Sequence, residues 1–385
     1  MIHKERLKKT FIELCEIESP SRHERDVAWY LTKVFRDELG HKVIEDDSRP
    51  QTGSNTGNII VKIHGTIPAP PLLFNAHMDT VGPVEGIKVI YENDVFHTGG
   101  ATILGGDDKA AIAILIEIAR AIKEQAIATP PLEFLFTVCE EIGLLGAKAL
   151  DEQLISARAG YALDTTGTFN LINRAPCAIR FKVKVYGKSA HAGIAPEDGV
   201  NAIRLASEAI VQVPLGRIDH ETTSNIGIIH GGKATNIVPD LVEIEGEVRS
   251  HDEKKLRRVQ DQVLAPFHKL RWSFDPKEWE PVVQVDVVDD YPVLKVPEDH
   301  LLIEAAKEAA TRLGHQLDVQ KTGGGSDANI LCGKGIDTVI LGIGMENVHT
   351  TQERITLSNM VDSARLILEI IKCWNQGGND KNGRC

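Results

Sequence analysis

The stretch Leu132 to Cys139 is almost unbroken in apolar residues and stops abruptly at Glu140-Glu141. A strand that is apolar on both faces must be covered on both, and helices do this in sheets whose strands run parallel. The same pattern recurs along the chain. Pro71 to Phe74 runs into Asn75-Ala76-His77-Met78-Asp79-Thr80, and Gly160 to Leu163 runs into Asp164. Between them, Gly105-Gly106 and Asp107-Asp108-Lys109 open a long apolar helix reaching Ile122. Glycines before a helix and acids in its first turn make a well-formed start. Alternating strands and helices predict an α/β fold, a three-layer domain on a mixed, largely parallel sheet. Functional groups in such sheets gather beyond the carboxyl ends of the strands, where these polar residues fall.

The texture changes near Ala178. Arg180 to Tyr186 alternates polar with apolar residues, as a half-exposed antiparallel strand does. Helices over about 200–211 and 253–270, with strands near 226–230 and 242–249, make a compact inserted α+β domain over 178–289. The α/β pattern resumes after Asp290 with a helix to about Leu313, the loop Thr322-Gly323-Gly324-Gly325-Ser326-Asp327, and a strand Thr338 to Gly342. A last helix runs to about Trp374. Residues 1–177 and 290–385 therefore form one domain, which opens with two helices, near 7–14 and over 24–39, the second stopped by Gly40. The polar, Gly-rich tail 375–385 reads as disordered.

Two domains suit 385 residues. A formal net charge of −12 speaks against a nucleic-acid partner, which needs a basic face. No apolar run approaches a membrane span, and the charged start Met1 to Lys9 lacks the apolar core of a signal peptide. The six cysteines are scattered without paired spacing, which fits reduced thiols and a cytoplasmic location.

Ionisable residues crowd the predicted strand ends: His77 with Asp79, Asp107-Asp108, Glu140-Glu141, Asp164, and His349 in Asn347-Val348-His349-Thr350. Singly, each is a solvated loop residue or a helix cap. Together, carboxylates converging at one sheet edge repel unless a cation sits among them. Two histidines with three or more carboxylates suit zinc, manganese or cobalt, and one carboxylate can bridge two such ions. His77 and Asp79 alternate along a strand and so share a side. One can ligate while the other holds its imidazole N–H.

The ordered set Ala76-His77-Met78-Asp79, Gly105 to Lys109, Cys139-Glu140-Glu141-Ile142-Gly143, Leu163-Asp164 and Val348-His349-Thr350 resembles the co-catalytic metallopeptidase family. That family includes peptidase T, carboxypeptidase G, the aminoacylases, acetylornithine deacetylase and succinyl-diaminopimelate desuccinylase. The likeness extends to Ser189-Ala190-His191-Ala192-Gly193 and Thr235-Asn236-Ile237-Val238-Pro239, and it is closest to the peptidase T-like tripeptidases. It implies two divalent metal ions per chain, zinc in the first instance. His77 and Asp164 would hold one, Glu141 and His349 the other, and Asp107 would bridge them across a cis peptide to Asp108. Asp79 would orient His77. Glu140 would be the general base, taking a proton from a water shared by the ions so that hydroxide attacks the scissile carbonyl.

The resemblance further implies a homodimer through the inserted domain, with His191 reaching the partner's site to stabilise the oxyanion. A loop histidine with a local hydrogen bond is the competing reading. Asn236 and Arg249 would bind substrate, although Arg249 reads equally as a solvated strand charge. Gly324 and Gly325, in the loop before a helix, would face an anionic group, or form a plain turn. The expected activity is hydrolysis of short peptides, a tripeptide aminopeptidase in particular. N-acyl amino acid hydrolysis or carboxypeptidase action by the same chemistry is the near alternative, and a metal-stabilised binding protein the remote one.

Overall fold

The computed structural model describes residues 2–270 and 282–377. The chain divides into two compact units. One comprises Met1–Arg174, Leu294–Thr322 and Ser326–Cys385; the other comprises Ala175–Val293 and Gly323–Gly325. The expected seams at 177/178 and 289/290 thus stand beside observed ones at 174/175 and 293/294.

In the first unit, four parallel strands form the middle of a mixed nine-stranded sheet. They lie in the order Leu132–Thr137, Leu72–His77, Ala159–Thr166 and Asp337–Met345. Antiparallel strands flank them: Ile59–Ile63 and Lys42–Glu45 on one side, Thr168–Ala175 on the other. The central residues are buried throughout, as the continuous apolar runs require. On one face Phe74 stacks on Tyr161 and meets Phe134 edge-on. On the other, Leu73, Leu135 and Ile60 pack with Leu150, Ile155 and Leu331. Tyr161 brings a hydroxyl into this core, and it donates to the Leu302 carbonyl at 2.6 Å.

The helix Gly106–Glu124 packs on strands 72–77 and 159–166 and is itself covered by Lys4–Cys15 and Leu357–Gly377. Its one deeply buried acid near the far end, Glu117, accepts from Arg6 Nε at 2.7 Å and from the His3 N–H at 2.8 Å. A buried carboxylate needs such partners.

Three expectations change. The helix expected over 24–39 divides into an α-helix, Arg25–Thr32, and a π-helix, Lys33–Glu38, closed by the Leu39 N–H on the Val34 carbonyl. The strand expected to end at Asp164 continues to Thr166, because Gly167, at φ +75°, turns it into the antiparallel strand Thr168–Ala175. The last helix runs to Gly377, into the stretch expected to be disordered; 378–385 lie outside the described residues.

The second unit is an antiparallel sheet in the order Gly216–Arg217, Thr222–Gly231, Leu241–Ser250, Cys177–Tyr186 and Val283–Tyr291. Ile179, Phe181, Val183 and Val185 point to one face, where Leu205, Ala209, Val259 and Phe267 of the helices Ala202–Ile210 and Glu253–His268 cover them. Lys182 and Lys184 alternate to the open face, which accounts for the period of two in the sequence.

Candidate metal centre

His77 ends its strand, and Glu140-Glu141, Asp164 and His349 lie at or just beyond the same carboxyl ends. Asp107 stands at the start of helix 106–124, where its own φ/ψ and those of Asp108 are not helical and the peptide between them is cis. The two oxygens of Asp107 face different histidines: Oδ1 lies 3.1 Å from His77 Nε2, and Oδ2 lies 3.3 Å from His349 Nε2. His349 Nε2 is also 3.0 Å from Glu141 Oε1. Ligand atoms of His77, Asp107 and Glu141 all fall within 4.8 Å of one another.

The backbone around these groups is held by carboxylates. His77 Nδ1 lies 2.8 Å from the Asp79 carbonyl oxygen. A carbonyl can only accept, so Nδ1 carries a proton and donates to it, which leaves Nε2 as the nitrogen facing Asp107. The Asp79 carboxylate, expected to hold this ring, stands further off, its Oδ1 3.6 Å from Nδ1. It accepts instead from the N–H groups of Glu140 at 2.9 Å and Glu141 at 3.2 Å, and from the Ser21 hydroxyl at 2.6 Å. Asp79 therefore supports His77 through its main chain and Glu140-Glu141 through its side chain. Asp108 accepts from the His77 N–H at 3.2 Å.

Two carboxylates that the sequence did not single out do similar work. Glu24, fully buried, accepts from the N–H groups of Arg22 at 2.9 Å and Cys139 at 3.0 Å, and from the Ser54 hydroxyl at 2.5 Å. It thereby holds Cys139, at φ +53°, immediately before Glu140. Glu353 takes three N–H groups of the segment leading to Asp107. Nothing local in the sequence marks Glu24; Glu353 is signalled only by standing four residues after His349.

The electrostatics are those of a site short of positive charge. Removal from water, then the charge of Asp164, pushes the Glu140 carboxyl well above its ordinary range. Removal from water, then Asp107, does the same to Asp164, and burial alone dominates at Asp108. Burial opposes ionisation of Asp107, yet His349 and His77 outweigh it and hold that carboxyl below the usual range. Hydrogen bonding to Asp107 and then Glu141 raises His349 to about 10. Carboxylate oxygens and imidazole nitrogens around a deficit of positive charge fit hard or borderline divalent cations.

The other predicted residues belong to the second unit. His191 is exposed, bridges to Ile237 and accepts from the Gly193 N–H at 3.2 Å, the local bond its competing reading allowed. Asn236 lies beside it, its carbonyl accepting from the Ala192 N–H at 2.9 Å. Arg249 is not a free strand charge. Its Nε and Nη2 each reach Glu247 at 2.9 Å, and Nη1 donates to the Gly323 carbonyl at 3.3 Å. Arg249, Ala178 and Tyr291 sit side by side on three adjacent strands. The Tyr291 ring covers Gly325 so closely that a Cβ there would come within 2.4 Å of the ring Cζ. The buried Tyr291 hydroxyl has no partner among the described residues.

Residues 73–372 match the family model of peptidase family M20/M25/M40. The Bacillus subtilis protein YqjE, described as uncharacterised, is 41% identical over 97% of this chain and 99% of its own length. A crystal structure of the aminopeptidase PepT from Bacillus cereus is 41% identical, with a TM-score of 0.87 over 97% of this chain and 99% of that one. A tripeptidase from Staphylococcus aureus is 37% identical, with a TM-score of 0.89 over 98% of this chain and all of that one, 100%.

Proposed function

The chain belongs to peptidase family M20/M25/M40 and is a metallopeptidase, and on that premise we propose that it is a tripeptide aminopeptidase using two divalent cations. The observation that carries this reading is the split of Asp107, one oxygen toward His77 and the other toward His349. That is the disposition of a bridging carboxylate. His77 and Asp164 would hold one ion, and Glu141 and His349 the other. When bound, such a pair supplies Lewis acidity, making a water acidic enough to be deprotonated near neutral pH.

Glu140 is the group left to move protons. Its raised pKa suits a base that accepts the water's proton and returns it to the leaving amine. The N–H bond to Asp79 fixes where its backbone starts, and so where its carboxylate can reach. Arg249 uses three of its five N–H groups internally, which leaves donors for a peptide carboxylate, with Gly324 and Gly325 in the loop it holds. Asn236, beside Ala192 at the opposite end of the strand pairing, would be a separate substrate contact. The tripeptidase relative supports the substrate class.

The inserted unit is read as a dimerisation and lid domain whose His191 serves the partner's site. In support, the segment 225–231 of strand Thr222–Gly231 has no pairing strand on its outer side among the described residues. Ile228 and Ile229 there are 46% and 53% exposed. A cytoplasmic setting accords with the free thiols of Cys15, Cys139, Cys177, Cys332 and Cys373. No helix among the described residues is long and apolar enough to cross a membrane.

The deciding experiment loads the protein with zinc, manganese or cobalt and offers free-amine tripeptides beside N-acylated amino acids. Cleavage of tripeptides at the first peptide bond, lost on chelation and regained with metal, is expected. Hydrolysis of the acylated amino acids with the tripeptides left intact would overturn the aminopeptidase reading and favour the deacylase one.

A further inference from the structure

Glu353 is 2% exposed, and among the described residues no Lys or Arg forms an ion pair with it. Its carboxylate is used wholly on main chain. Oε2 accepts from the N–H groups of Leu104 at 2.9 Å and Gly105 at 2.8 Å, and Oε1 accepts from that of Asp107 at 2.8 Å. Its own backbone closes the loop that carries His349. The Glu353 N–H donates to the Thr350 carbonyl, and the pair Glu346 and Arg354 seals the loop's base with two backbone bonds. Asn347 and His349, at φ +54° and +62°, make the turn within it.

One buried side chain thus spans two loops far apart in sequence, each bearing a candidate metal ligand. We propose that Glu353 is a positioning residue that locks the Asp107 and His349 loops to each other and so presets the spacing of the paired cation site. Only a carboxylate presents two accepting oxygens and no donor. A glutamine here must turn its NH₂ toward either the Asp107 N–H or the Leu104 and Gly105 pair. This inference rests on the reading of Asp107 and His349 as ligands.

Glu353→Gln tests it through zinc affinity, measured by competition with a chromogenic chelator on protein whose circular dichroism matches the parent. Outer residues that orient ligands typically change metal affinity by 10–100-fold on mutation, and a loss of roughly that size is expected. A residue that merely held the fold would lower the unfolding midpoint and leave the affinity where it was. That result, with the parent binding zinc, overturns the proposal and spares the metal reading. A parent that binds no zinc overturns both.

If the variant does not fold, hydrogen exchange on the parent decides. The amides of Leu104, Gly105 and Asp107 should be protected after chelation as they are with zinc, because the carboxylate holds them. Free exchange until zinc is added would overturn the proposal.

Discussion

Carboxylates are numerous in both units but serve different purposes. At the carboxyl ends of the parallel strands, Asp79, Glu24 and Glu353 are buried and direct their oxygens at backbone N–H groups of the loops that carry the candidate ligands. On the open face of the second unit's sheet, Glu243 and Glu245 reach across strands in water. Lys184 meets Glu243 at 2.9 Å, and Lys182 meets Glu245 at 2.9 Å. A buried acceptor cannot be replaced by solvent, so removing it orphans donors and releases a loop. An exposed pair gives up little, since water takes either partner. Burial, rather than charge, should therefore rank the effects of substitution.

The largest effect is expected at Glu140, the base of the proposed mechanism. Glu140→Gln should lower kcat by about 10²–10⁴ while zinc content per chain stays at the parent value. Loss of zinc along with activity would make Glu140 a ligand instead of a base and reverse its role with Glu141.

Asp79→Asn comes next. An asparagine retains one acceptor for the two N–H groups of Glu140 and Glu141 and turns a donor toward the other. A fall of roughly 10–100-fold in activity or zinc affinity is expected, and titration with zinc should recover part of it. An unchanged affinity and rate would mean that the Asp79 carbonyl, holding His77, is all the site needs from this residue.

Glu24→Ala should act on stability before function. It leaves the N–H groups of Arg22 and Cys139 and the Ser54 hydroxyl without an acceptor, at about 1–3 kcal/mol for each group that water cannot reach. The urea midpoint should fall with its slope unchanged. A midpoint at the parent value would show that water reaches beneath Cys139 and that the distinction between the two carboxylate sets is less sharp than drawn.

How much of this could be read from the sequence follows the same division. His77, Glu140, Glu141 and Asp164 stand out because they follow apolar runs, Asp107 because it opens an apolar helix behind two glycines, and His349 because it comes after the late strand. The parallel strands announce themselves by those runs. Glu24 and Glu353 do not stand out, because a buried glutamate and a solvated one look alike until the chain is folded around them. Asp79 was conspicuous, but which of its atoms faces His77 depends on a backbone turn that no residue type dictates. The strand Thr168–Ala175 carries Asn170, Asn173 and Arg174 and lacks an alternating pattern. It forms because Gly167 reverses the chain beside strand Asp337–Met345. Gly323–Gly325 follows the resumed α/β pattern in sequence, yet groups with the inserted unit through Arg249 and Tyr291.

The smallest effect is expected on the second unit's open face, and it sharpens the comparison most cleanly. Lys182 and Lys184 alternate with buried residues, so both are anchored by the strand and neither is needed to place another group. Replacing Lys184 with alanine removes an ion pair but leaves Glu243 free to hydrate, and no backbone donor loses its acceptor. The denaturation midpoint should stay within error of the parent, and any small difference should vanish in high salt, which screens exposed charges. A loss as large as that of Glu24→Ala would mean that this face is covered in solution, and a covered face would put its lysines and glutamates in the same class as the carboxylates beneath the ligand loops.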